Sequence, residues 1–172
     1  LALRGASVVR EYECVRFSPK RTAGRHAGGV SDPAVSLCPS VPSATVWPPT
    51  GQVIRLSYAP ASSDGTGDGT GTPAGTQIAR FDADRFTHPL VVRSWTAGDA
   101  FHPQGMGGRR KKVQDYFCDI KLPRERRAGV PLLVAPEGIL WIVGHRADQR
   151  FRVTPSTRRI LVAEIVPIET SR

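Results

Sequence analysis

At 172 residues the chain can bury one ordinary hydrophobic core or two small ones. Its 24 Lys and Arg against 15 Asp and Glu leave a formal net charge of +9, which excludes an acidic self-solvating chain and favours an anionic partner such as a phosphate backbone. Three cysteines in no CxxC spacing and four scattered histidines exclude a disulfide framework or a zinc site and fit a reducing, cytoplasmic setting, and no apolar run is long enough for a membrane helix.

Residues 6–17 (ASVVREYECVRF) alternate apolar and polar side chains and predict a strand or hairpin. Residues 18–52 are rich in Pro, Gly and Ser and predict loop with short strands. VIRLSY, Val53 to Tyr58, alternates again and predicts a strand. Pro60 to Gln77 has no apolar residue larger than Ala. Nothing there can offset the entropy of ordering, so the expectation is a flexible linker, mobile from about Ser62 to Gly75. Ile78 to Phe81 predicts a short strand, and so does Leu90 to Trp95.

Thr96 to Gly108 is punctuated by Gly and Pro and predicts a loop. From Arg109 to Ile120, the apolar residues Val113, Tyr116, Phe117 and Ile120 recur at helical spacing. The cationic run Arg109-Arg110-Lys111-Lys112 is therefore expected to open a short amphipathic helix. Pro123 suits the first turn of a second short helix that Gly129 could end. Leu132–Ala135 and Ile139–Val143 predict a hairpin about Pro136-Glu137-Gly138, and Arg159–Val166 a last strand. The class is α+β: an N-terminal β-rich segment over 1–59, a linker over 60–77, and over 78–168 a mixed sheet with two short helices.

The charge is unevenly spread. Residues 1–87 carry 9 basic and 7 acidic side chains (net +2), and residues 88–172 carry 15 and 8 (net +7). Between Gly105 and Arg127 eight basic side chains stand against three acidic ones. The candidate RNA contacts are Arg109, Arg110, Lys111, Lys112, Lys121, Arg124, Arg126 and Arg127. The plainer reading of such runs is a solvated face, and Lys121 could instead pair with Asp119 or Glu125. Arg93 and Arg146 are open between RNA contact and support of the sheet. Trp95 and Trp141 read as core residues, and Asp99 and Asp82 as turn residues.

Other motifs lack their context. Gly65 to Gly71 is glycine-rich, but no Gly-Lys-Ser/Thr follows. Ala27-Gly28-Gly29-Val30-Ser31-Asp32 only faintly resembles a pyrophosphate loop. No catalytic centre, cofactor site or metal site is expected within this chain.

Six ordered motifs carry a family resemblance: Arg93-x-Trp95-x-x-Gly98-Asp99, Pro103-x-Gly105-Met106, Lys111-Lys112, Phe117-x-Asp119-x-Lys121-x-Pro123, Arg127-x-x-x-Pro131 and Trp141-x-x-Gly144-x-Arg146. Over roughly residues 80–166 the chain resembles the C-terminal domain of bacterial tRNA(Ile)-lysidine synthetase. Earlier residues, chiefly Val8-Val9-Arg10-Glu11-Tyr12, resemble it more weakly. Ala100 and Cys118 depart from the family's usual arginine and isoleucine.

The resemblance implies the following. The whole enzyme is an ATP-dependent ligase that adenylates the wobble cytidine of a minor isoleucine tRNA and joins lysine to it. ATP and magnesium belong to an N-terminal catalytic domain that this chain, which begins with Leu1, is expected to lack. The C-terminal domain, similar to one in the phenylalanyl-tRNA synthetase β subunit, helps to hold the tRNA acceptor stem. The implied partners are tRNA(Ile) and the catalytic domain of the same polypeptide, with a homodimer left open. Two further readings stand beside this one: an autonomous nucleic-acid-binding module, and a structural or dimerisation domain whose basic face is incidental.

Overall fold

The structure, a computed structural model, describes residues 6–11, 14–19, 35–60 and 78–166. The expected mobile linker, the Gly65–Gly71 stretch and the Ala27–Asp32 motif lie outside the described residues. A hairpin pairs β1 (Ala6–Glu11) with β2 (Cys14–Pro19). Then come β3 (Ser36–Leu37), β4 (Ser43–Val46), β5 (Val53–Pro60), β6 (Ile78–Asp82), β7 (Val91–Ser94), β8 (Ala100–Phe101) and β9 (Lys111–Lys112). Helices α1 (Val113–Asp119) and α2 (Arg124–Arg127) precede the hairpin of β10 (Pro131–Ala135) and β11 (Gly138–Ile142). A turn of 3-10 helix at Gln149–Phe151 leads to β12 (Arg159–Val166).

The α+β class and both short helices are present. Eight of the twelve described strands form two four-stranded sheets, ordered β11-β10-β7-β3 and β4-β5-β12-β6, while β8 and β9 pair separately. Every pairing in these two sheets is antiparallel. The second sheet buries one face. Ile54 and Leu56 of β5, Phe81 of β6, and Leu161, Ala163 and Ile165 of β12 meet Val92, Leu133, Ala135, Leu140 and Trp141 of the first sheet in one cluster. The residues of the second sheet in this cluster alternate with outward ones along β5 and β12, as a one-sided antiparallel sheet requires.

The first sheet is buried on both faces. Its far face presents Leu132, Ile139 and Ile142 to Phe101, Val113, Tyr116 and Phe117 in a second cluster. That is why β10 and β11 read as nearly unbroken apolar runs. A β-bulge sets which side chain goes where: Leu133 pairs with Trp141 and the next residue, Val134, pairs with Ile139, so Leu140 is extra. The two adjacent residues Leu140 and Trp141 consequently both point into the inter-sheet core, while Ile139 and Ile142 face α1.

Residues 43–60 are built into the same core. β5 pairs with β12 along its whole length, Val53 to Val166 through Pro60 to Arg159. Trp47 is fully buried, and its indole N–H donates to the Gly129 carbonyl at 2.8 Å.

One expectation needs correction. The run Arg109–Lys112 does not open the helix. Lys111 and Lys112 form β9, paired with Phe101 and Ala100, and Lys112 is the extended residue before α1. Helical spacing of the apolar residues locates α1, but the backbone of its approach is claimed by strand pairing.

Phe117 is fully buried, so Phe117→Ala is expected to cost about 3–5 kcal/mol in chemical denaturation. Trp47→Phe leaves the Gly129 carbonyl without its donor and is expected to cost about 1–3 kcal/mol in the same experiment. A loss near zero would detach residues 43–60 from the folding unit.

Candidate nucleic-acid interface

Both ends of α1 are held by other means than side-chain caps. At its start β9 pairs with β8, and the Val113 N–H donates to the Asp99 carbonyl at 2.9 Å. The Asp99 side chain fixes that loop. It accepts two hydrogen bonds of 2.8 Å from the Arg93 guanidinium and one of 2.7 Å from the Thr96 N–H. Arg93, Gly98 and Asp99 therefore form a brace from β7 to α1, and Trp95 lies edge-on to Phe117 at 5.8 Å. Burial pushes the Asp99 carboxyl pKa up, but the hydrogen bonds from Arg93 and Thr96 and the Arg93 charge outweigh it. The net value is held below the ordinary 3.8.

At the far end the chain leaves α1 through a left-handed residue. The Leu122 N–H donates to the Phe117 carbonyl at 2.9 Å and the Lys121 N–H to the Cys118 carbonyl at 3.0 Å. This is the Schellman pattern, which favours glycine where Lys121 stands at φ 54°. Leu122 packs on the cluster around Phe117, and the Lys121 side chain is turned to solvent.

These two ends carry the two basic runs. α1 has 7 residues and spans about 10 Å, so the two runs are separated by little more than that length of helix. Arg109, Arg110, Lys112, Lys121, Arg124 and Arg126 are exposed, and among the described residues their side chains have no hydrogen bond or ion pair. The other two candidates are engaged. Lys111 is ion-paired with Asp119. Arg127 donates from Nε to the Leu122 carbonyl at 3.0 Å and lies over the Phe117 ring. Among the described residues Lys121 pairs with neither Asp119, which is held by Lys111, nor Glu125. Arg93 is a brace, and Trp141 lies in the core.

Before the first run, Gly105, Gly107 and Gly108 all have positive φ, so the loop that delivers Arg109 could not be built from ordinary residues. The Gly108 N–H donates to the Gln149 side chain at 3.3 Å, which ties the loop to the 3-10 turn. Beside α2 lies a cleft of about 540 Å³, lined in part by Thr50, Gln52, Arg126, Gly129 and His145. Among the described residues no group of three His, Cys, Asp or Glu side chains is placed to hold a metal ion.

Comparison with known proteins shows what the chain is similar to. Residues 90–163 match the family model described as the TilS substrate C-terminal domain. A tRNA(Ile)-lysidine synthase of Parabacteroides distasonis is 43% identical over 90 residues, which are 52% of this chain and 20% of that protein. The one of Symbiobacterium thermophilum is 37% identical over 121 residues, 69% of this chain and 23% of that protein. The chain thus spans about one fifth of the length of the curated relatives it matches. A crystal structure of a TilS C-terminal domain aligns with 80% of this chain and 99% of its own, with a TM-score of 0.64 at 23% identity, which establishes the shared fold.

Two outcomes test the braces. The Asp99 carboxyl is harder to protonate folded than unfolded, so its contribution is complete at neutral pH and is lost as pH falls through the depressed folded value. Asp99→Asn is expected to be destabilised at pH 7, with the gap to the parent closing below about pH 3.8; a gap constant down to pH 2 would contradict the brace. Lys121→Gly relieves the left-handed strain and is expected to raise stability by about 1 kcal/mol.

Proposed function

We propose, on the premise that this chain carries a TilS substrate C-terminal domain, that it is the tRNA-holding part of a cytoplasmic tRNA(Ile)-lysidine synthetase. In this reading the chain grips the acceptor stem of tRNA(Ile). The joining of lysine to the wobble cytidine, with ATP and magnesium, occurs in a catalytic domain of the same polypeptide. The observation that carries the reading is the set of exposed, unpaired basic side chains at both ends of α1. Unpaired cations on a rigid frame are what a phosphate backbone can replace counterions with. Duplex RNA displays little base-edge information to a protein in its narrow major groove, so phosphates, 2′-hydroxyls and helix shape are the groups such a surface meets.

The loop of glycines matters to this function in two ways. It lets backbone come close to a ligand, and it leads directly into Arg109 and the strand β9 that carries Lys112. Lys111 is withdrawn by Asp119 and contributes less. Lys121 stands in a backbone state that glycine would occupy more favourably, and a phosphate contact is a physical reason for a lysine there.

The test is binding of the chain to tRNA(Ile) transcript at several salt concentrations. If about four to six cations meet phosphates, log K falls with log salt at a slope of roughly −3 to −5. Arg109→Ala with Lys112→Ala is expected to make the slope shallower by about 2 and to weaken different tRNAs alike. Lys121→Gly, while more stable, is expected to bind less tightly. Affinity and slope unchanged in the double variant would leave the solvated-face reading standing.

A further inference from the structure

A second group of arginines, absent from the candidates above, gathers at the 3-10 turn whose Gln149 holds the glycine loop. Between His145 and Arg159 five arginines stand against the single acid Asp148, and that acid is fully buried. Asp148 accepts from the Arg150 N–H at 2.8 Å and from Arg150 Nη2 at 2.9 Å, and from the His102 N–H at 2.9 Å. The Arg150 guanidinium also lies over the Phe151 ring, its carbon 5.1 Å from the centroid. A Cβ on Gly138 would come within 2.8 Å of Arg150 Nη2, so the glycine of the β10–β11 turn leaves the room this guanidinium fills.

Arg85 and Arg159 are fixed in the same manner. Arg85 donates from Nε to Asp82 at 3.1 Å and from Nη1 to the Arg150 carbonyl at 3.2 Å. Asp82 also accepts from Thr157 at 2.8 Å, which holds the turn that presents Arg158. Arg159 lies 4.6 Å over the ring of Tyr58, whose hydroxyl is 2.6 Å from His88. In the same stretch of chain, Arg152 and Arg158 are exposed and, among the described residues, their side chains have no hydrogen bond or ion pair.

We infer that this arginine-lined end is a second binding site for the phosphates of duplex RNA, continuous with the face around α1. The inference rests on the reading of that face as an RNA interface. Continuity runs through Gln149, which holds the glycine loop before Arg109 and begins the turn that carries Arg150. Guanidinium groups suit the bridging of adjacent phosphate oxygens because each offers paired N–H donors in a fixed plane. Anchoring three of them on buried carboxylates or aromatic rings lowers the ordering cost when phosphate arrives. The density of guanidinium groups around a single buried acid fits the regularly spaced phosphates of a duplex.

The experiment uses the whole chain with fluorescein-labelled tRNA(Ile) transcript. Arg152→Ala with Arg158→Ala is expected to weaken binding about tenfold or more and to make the salt slope shallower by about 2. Thermal unfolding should be unchanged, since among the described residues neither side chain has a partner. The effect should add, in logarithmic terms, to that of Arg109→Ala with Lys112→Ala. Arg152→Lys with Arg158→Lys should keep the slope and lose part of the affinity. If the Arg109/Lys112 pair weakens binding while the Arg152/Arg158 pair leaves affinity and slope untouched, the second site is removed and the first stands. If neither pair matters, both readings fall. Unchanged tRNA affinity with lost binding to phosphatidylserine–phosphatidylcholine vesicles would assign the surface to a membrane instead.

Discussion

Burial of the β11-β10-β7-β3 sheet on both faces is the constraint from which the rest of this structure follows. One face must be covered by a second sheet and the other by a helix, or the apolar runs of β10 and β11 would be open to water. The bulge at Leu140 lets a strand of ordinary length serve both clients: it sends Leu140 and Trp141 to the inter-sheet core and returns Ile142 to α1. Trp47 then closes the inter-sheet side by bonding to the carbonyl of Gly129, just ahead of β10. A single strand pair thus fixes the position of the second sheet, of α1 and of the connection between α2 and β10.

The charge arrangement is a consequence of how α1 is kept in place. A 7-residue helix is too short to be stable alone. It is stabilised by Val113, Tyr116 and Phe117 on the sheet and by its two tethered ends. Those ends are exposed loops and turns, the positions at which cationic side chains cost least to hold out in water. The residues that do not touch solvent anions are the ones that build the frame: Arg93 on Asp99, Lys111 on Asp119, Arg127 on the Leu122 carbonyl. Sorting cations by partner, rather than by position in a run, separates scaffold from surface.

Much of the secondary structure was legible from periodicity. β12 was bounded to the residue, and the β10–β11 turn was set by Pro136-Glu137-Gly138. Three things were not legible, each for a physical reason. Unbroken apolar runs show that a strand is buried but not against what, so the division into two sheets was hidden. Alternation fails at a bulge, so Trp141 could be placed in the core but not on a face. And Lys111 and Lys112 pair with residues ten and twelve positions earlier in sequence, a contact that side-chain spacing does not record. The arginine group around Arg150 escaped notice because its arginines are spaced singly rather than in a run, and Arg85 joins them from a distant segment through Asp82 and the Arg150 carbonyl. The glycine loop, by contrast, announced itself: three glycines in four residues before a cationic run leave few other conformations.

The central claim is that RNA lies on the α1 side of the first sheet and not on the outer face of the second. Amide hydrogen exchange of the chain, with and without saturating tRNA(Ile), tests it most directly. The account predicts slowed exchange over residues 105–112 and 121–128, with residues 43–46 and 53–57 unchanged. Slowing confined to β4 and β5, with the glycine loop and α2 exchanging as freely as before, would contradict it.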